Sequence, residues 1–171
     1  MKIIHQSDYK TNTWKGGITR ELYINPESSS LNARDFDIRI SSAIIDSTES
    51  VFSDFTGYQR YILPVKGSLT LFRNGKAYRL SPNAPFRFSG DEAIKSENSK
   101  GAIDFNVIFR AELPVSVKVT SDEHYESSTG RTLLFALEPV TVNGKPIECH
   151  DAVLLSGAFA VKGRVVVVSI P

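Results

Sequence analysis

Asp104 and Asn106, two positions apart in Ile103-Asp-Phe-Asn-Val107, are the residues best placed in this sequence to act on a small molecule. Successive side chains of an extended strand point to opposite faces, so these two share a face and Phe105 takes the other. If that face lines an interior, both groups need partners there, because an unpaired buried polar group costs several kcal/mol. Two arginines could supply them. Arg39 lies opposite Phe36, Ile38 and Ile40 in the alternation of Phe36-Asp-Ile-Arg-Ile-Ser-Ser-Ala43, and Arg60 stands in the aromatic run Tyr58-Gln-Arg-Tyr61. A guanidinium recognises a carboxylate through two parallel hydrogen bonds, and an amide can donate to one oxygen. The four residues suit either the polar end of a pocket for a small carboxylate or a structural network that satisfies itself.

The stretch Trp14-Lys-Gly-Gly-Ile-Thr-Arg-Glu21 adds to the pocket reading. Trp14 before a glycine pair suits a ring laid over a cavity mouth, and Gly16-Gly17 lets the backbone pass where a side chain would clash. Thr19 and Glu21 share a strand face, although Glu21 near Arg39 would equally make a structural ion pair. Phe86 and Phe88 are expected to join Trp14 in an apolar wall. A carboxylate whose pKa is brought near the working pH can serve as general acid or base, which makes Glu21 and Asp104 the candidate catalytic groups.

Other chemistries find little support. His5, His124 and His150 lack the close spacing of a strand-borne imidazole pair, and the single cysteine, Cys149, excludes a CxxC motif, so neither metal nor other cofactor is expected. No serine stands in a Gly-x-Ser-x-Gly elbow, and no glycine-rich loop opens a helix to cradle phosphate. Lys and Arg number 20 against 19 Asp and Glu, a net charge of +1, which argues against nucleic acid or an anionic membrane as partner. Lys162-Gly163-Arg164 interrupts the longest apolar run well short of a spanning helix. The N-terminus turns polar too early for a signal peptide, and a lone cysteine fits a reducing cytoplasm.

Short alternating runs separated by turns must position these groups. Ile18–Ile24, 36–43, Tyr58–Pro64, Ser68–Arg73, Ile103–Arg110 and Val165–Ile170 read as strands, while no window holds an apolar stripe at helical period. Residues 9–14 and 91–100 read as loops. Leu71-Phe-Arg-Asn-Gly-Lys76 is echoed by Val140-Thr-Val-Asn-Gly-Lys145, and both lead to an apolar run closing on Ser-Gly, which implies one β unit occurring twice. An all-β jelly-roll in two halves follows, with approximate halves 1–120 and 131–171 flanking the polar connection 121–130 and strand exchange between them possible.

These segments resemble the HutD/Ves family of the cupin superfamily, bacterial proteins that include one encoded with histidine-utilisation genes and one associated with stress. The resemblance is carried by Trp14–Glu21, 36–41, Val51-Phe-Ser-Asp-Phe-Thr-Gly57 followed by Arg60, Phe86-Arg-Phe-Ser-Gly-Asp91 and Asp104-Phe-Asn-Val107. It implies a bicupin, two intertwined β-barrel halves in one compact chain, without the metal-binding histidines of cupin enzymes. Two departures stand out: Lys15 leads straight to Gly16-Gly17 where the family has an asparagine and a longer glycine run, and Ile38 replaces a tryptophan. The leading expectation is a metal-free binder of a small anionic metabolite with a regulatory or stress-related role, its ligand held by Trp14, Thr19, Arg39, Arg60, Phe88, Asp104 and Asn106. A metal-independent isomerase, lyase or hydrolase, or a protein that binds a partner through a sheet edge, are the alternatives. A monomer or weak homodimer is expected.

Overall fold

The computed structural model describes residues 1–171. Apart from one 3-10 turn at Gln6–Asp8, its regular structure is strand: β1 (Lys2–Ile4), β2 (Lys10–Trp14), β3 (Gly17–Asn25), β4 (Ile38–Ile45), β5 (Glu49–Val51), β6 (Tyr58–Lys66), β7 (Leu69–Arg73), β8 (Lys76–Arg79), β9 (Phe86–Ser89) and β10 (Ile94–Asn98). There follow β11 (Ala102–Arg110), β12 (Ser116–Thr120), β13 (Glu123–Glu126), β14 (Arg131–Ala136), β15 (Val140–Val142), β16 (Lys145–Ile147), β17 (Ala152–Ser156), β18 (Phe159–Lys162) and β19 (Val165–Ile170). Frequent β-branched residues, period-two alternation and glycine turns account for this all-β outcome.

The strands gather into two compact units, Lys10–Leu113 and Met1–Tyr9 with Pro114–Pro171. In the first, a six-stranded sheet β2-β3-β4-β11-β6-β9 accompanies a four-stranded sheet β5-β10-β7-β8. In the second, a five-stranded sheet β1-β17-β14-β19-β12 accompanies a four-stranded sheet β13-β18-β15-β16. Strand for strand, β4-β11-β6-β9 corresponds to β12-β19-β14-β17, and β5-β10-β7-β8 to β13-β18-β15-β16. The echo in the sequence is therefore a repeated eight-stranded jelly-roll. Asn74 and Asn143, both at φ 50°, with Gly75 at φ 76° and Gly144 at φ 77°, make the same two-residue hairpin turn between β7 and β8 and between β15 and β16.

Three local readings change. Residues 10–14 form a strand, β2, paired along its whole length with β3; its side chains are exposed, so no apolar alternation marked it. Residues 94–98 are β10, paired on both sides, and their charged outward members Lys95 and Glu97 give the segment its loop-like composition. The polar stretch 121–130 contains the edge strand β13, held by Lys162–Glu123 at 2.9 Å and Lys118–Glu126 at 2.6 Å. The boundary between units lies at 113/114 rather than in that stretch, because β12 pairs with β19, and the first nine residues join the second unit through β1 and β17.

The interiors of the units differ. In the second, Leu134, Val142, Val153, Phe159, Val161, Val165 and Val167 are all but fully buried in one apolar cluster. In the first, one cluster around Leu69, Leu71, Phe88 and Ile94 and another around Phe36, Phe55, Tyr58 and Ile108 leave polar residues among them.

Candidate functional site

Register places the site. Ile108 of β11 stands opposite Arg39 of β4 on one side and opposite Arg60 of β6 on the other, so the two guanidinium stems rise from one row of the sheet on the same face. One step along, Asn106 pairs with Ser41, and one further, Asp104 pairs with Ala43, which pairs in turn with Thr19. This face opens into a cavity of about 370 Å³ within the Lys10–Leu113 unit. Arg39, Arg60, Asp104, Asn106, Thr19 and Trp14 all line it.

Arg39, 6% exposed, donates from Nε to Glu21 Oε2 at 2.7 Å and from Nη1 to Ser41 Oγ at 3.3 Å. Its charge is thus balanced beside the cavity. Glu21 stands beside the cavity rather than in its lining, held by the ion pair with Arg39.

Arg60 is held differently. It is 8% exposed, and its one hydrogen bond is a long 3.5 Å contact from Nη2 to Asn106 Oδ1, while its buried Nε has no partner. Its guanidinium lies 4.9 Å from the Phe52 ring centroid, 5.1 Å from Phe88 and 5.4 Å from Phe55. Aromatic faces attract a cation without consuming its hydrogen-bond donors. Burial draws Arg60 down to about 10, against the pull of Asp104 and with the repulsion of Arg39.

Asp104 is also buried. Its Oδ1 accepts the Ala43 backbone N–H at 3.1 Å, and its backbone carbonyl accepts Ser42 Oγ–H at 2.8 Å. Burial pushes its carboxyl up to about 6, against the stabilising effects of the Asn106 side chain, the Ala43 N–H and Arg60. Asn106 therefore ties Asp104 to Arg60.

Trp14, 38% exposed, stands at the rim and donates Nε1–H to Thr19 Oγ1 at 3.1 Å. A Cβ at Gly16 would collide with its indole, and one at Gly17 with the Ile44 carbonyl, so the glycine pair is what lets ring and strand lie this close. Phe86 and Phe88 do not form the cavity wall. They sit on the neighbouring strand β9, where Phe88 pairs with Arg60 and Phe86 with Ile62, and Leu31, Phe52, Phe55 and Ile108 supply apolar lining. Also unanticipated are Ser50 and Ser96, which face one another across β5 and β10 and line the cavity from the four-stranded sheet. The alternation Ile94, Ser96, Asn98 carried that signal, hidden by Lys95 and Glu97.

The three histidines serve elsewhere. His5 contacts Asp151 at 2.7 Å, His124 contacts Glu126 at 3.0 Å, and the His150 ring stacks on Phe135 at 5.5 Å. No three His, Cys, Asp or Glu side chains come together as a metal would require. Burial pushes the half-buried Cys149 thiol above its usual range, and its Sγ donates to the Leu137 carbonyl at 3.6 Å.

The HutD family model matches residues 6–166, nearly the whole chain. The chain belongs to the HutD family. Protein Ves of Citrobacter koseri is 32% identical over 105 residues, which make up 58% of this chain and 52% of that protein. The chain thus spans about half the length of the curated relative it matches. HutD from Pseudomonas fluorescens SBW25 superposes with a TM-score of 0.86 at 28% identity, over 98% of this HutD-family chain and 96% of the other. A cupin 2 conserved barrel domain protein from Leptotrichia buccalis shares the fold at 11% identity, with a TM-score of 0.62 over 99% and 96% of the two chains. The fold is therefore cupin-like. No helix is long and apolar enough to cross a membrane.

Proposed function

We propose that this chain is a binding protein for a small carboxylate-bearing metabolite, held in the cavity of the Lys10–Leu113 unit with Arg60 as its main contact and serving a regulatory or stress-related role. The observation that carries the reading is the state of Arg60: a buried cation, caged by three aromatic rings, with a partnerless Nε and one long hydrogen bond. Desolvating a guanidinium is expensive unless its donors are satisfied, and a carboxylate satisfies them with strong, charge-assisted bonds. A cavity of about 370 Å³ suits a metabolite of modest size. Calorimetric titration with butyrate and with its neutral isostere butyramide tests it. Binding of butyrate alone is expected; binding of both equally, or of neither, would refute a carboxylate site.

A second reading rests on Asp104. A buried carboxyl near pH 6 beside a ligand cavity is suited to proton transfer. Deuterium entering a bound carboxylic acid from solvent, and lost in Asp104→Asn, would favour an enzyme over a binder.

A further inference from the structure

We propose that the cavity selects an acid of single negative charge whose far end is a neutral hydrogen-bonding group, with Arg60 as the one free cation, Asp104 neutral beside the bound carboxylate and the Ser50–Ser96 pair receiving the neutral end. The inference rests on the carboxylate reading above and names the ligand class within it.

The charge balance of the cavity carries the first half. Its ionisable lining residues are Arg39, Arg60 and Asp104. Arg39 is spoken for by Glu21 at 2.7 Å, which leaves Arg60 as the available cation and Asp104 as the nearby anion. From β4 and β3 the charged groups near Asp104 are Arg39 and its bound Glu21, and from β6 Arg60; the β5 and β10 residues that line the cavity are neutral. A ligand carboxylate on Arg60 places two anions against one free cation, and like charges that share a buried site cannot both stay ionised. Asp104 can yield by taking a proton, since burial already holds it near pH 6. One anionic ligand and a neutral Asp104 then match Arg60. A second ligand carboxylate has no cation left to meet.

The opposite wall carries the second half. Ser96, 3% exposed, and Ser50 are directly opposed in the register of β10 and β5, and both line the cavity. Cross-strand neighbours on one face stand about 5 Å apart, near enough for two hydroxyls to hold one polar group. Hydroxyls can donate or accept, but bring no charge to offset a second carboxylate.

Succinamate and succinate decide the matter, because they share a length and differ by one charge once succinate is doubly ionised. Calorimetric titrations of the full chain near neutral pH are expected to give succinamate at least about tenfold tighter binding than succinate, the discrimination one uncompensated buried charge readily supplies. Asp104→Asn, which removes the need to take up a proton, should tighten succinamate and succinate alike and leave that ratio nearly unchanged. Ser96→Ala should weaken succinamate by roughly fivefold, the effect of one hydrogen bond, and leave butyrate unchanged. Wild-type binding of succinate as tight as succinamate overturns the inference, whatever the variants do. So does an Asp104→Asn variant that binds neither acid more tightly, or a Ser96→Ala loss equal for succinamate and butyrate. Butyrate binding without discrimination sinks this inference alone, whereas failure of butyrate to bind sinks the carboxylate reading beneath it.

Discussion

Asp104 shows how one residue can be costly to the fold and useful to the site. Its carboxyl lies buried beside an arginine whose own hydrogen bonding is incomplete, and burial outweighs the help of Asn106, Ala43 and Arg60 in setting its pKa near 6. A folded-state pKa above the ordinary value of 3.8 means that the unfolded chain gives up its proton first as pH rises. The penalty is absent below about pH 4, grows between there and pH 6, and is full at higher pH. Two pKa units correspond to about 3 kcal/mol, an upper bound for a single group. Asp104→Asn should therefore melt higher than wild type at pH 8, by an amount equivalent to about 1 to 3 kcal/mol, and show little difference at pH 4. Equal melting at both pH values would mean that Asp104 carries no folding strain.

Much of the site was legible because its members lie in alternating strands. Arg39, Asp104 and Asn106 each stand between apolar neighbours, so the face they occupy follows from period two alone. The serines were not legible, since Ser96 sits between Lys95 and Glu97, where polar neighbours leave no contrast. Phe88, expected in the wall, flanks the Arg60 guanidinium from the neighbouring strand, a distinction set by the pairing of β9 with β6 rather than by residue type.

Among the elements, the N-terminal strand is lightly packed. β1 is an edge strand of three residues, and the segment after it is fastened by side chains: Asp151, itself buried, accepts the Gln6 backbone N–H at 2.9 Å and contacts His5 Nδ1 at 2.7 Å, while Tyr9 Oη–H donates to the His150 carbonyl at 2.8 Å. The hydrogen bond to Asp151 and then its charge raise the His5 pKa above 6.5. A raised folded-state pKa stabilises below the unfolded value and loses that contribution as pH rises through the folded value. Hydrogen exchange at Lys2–Ile4, corrected for the intrinsic rate, should thus show protection falling as pH climbs above 6.5 through the raised value, and His5→Gln should abolish that pH dependence. The same pH dependence in His5→Gln would show that the pair does not fasten the strand. The hairpins, by contrast, were plain in the sequence, because Asn-Gly allows the positive φ at both turn positions that few other pairs tolerate. The exposed β2 was not, since pairing with β3 holds it without any apolar face of its own.

At the scale of the molecule, one eight-stranded plan has been put to two uses. The row that carries Arg39, Ile108 and Arg60 in the first unit runs across β4, β11 and β6; the corresponding strands β12, β19 and β14 put Lys118, Val167 and Leu134 in one row. Val167 and Leu134 belong to a filled apolar core. Strand order was duplicated while the interior chemistry diverged, so the repeat could be read from the turns and the location of the cavity only from its polar residues. The central claim is that Arg60 is kept buried and underused in order to bind a carboxylate. Its most direct test is calorimetric titration of wild type and Arg60→Met with butyrate, each protein first shown by thermal melting to be folded. Methionine preserves much of the volume against Phe52, Phe55 and Phe88 but removes the fork, so folded Arg60→Met should bind butyrate weaker by about 2 to 5 kcal/mol, a loss of roughly thirtyfold or more. Affinity equal to wild type in the folded variant would contradict the account.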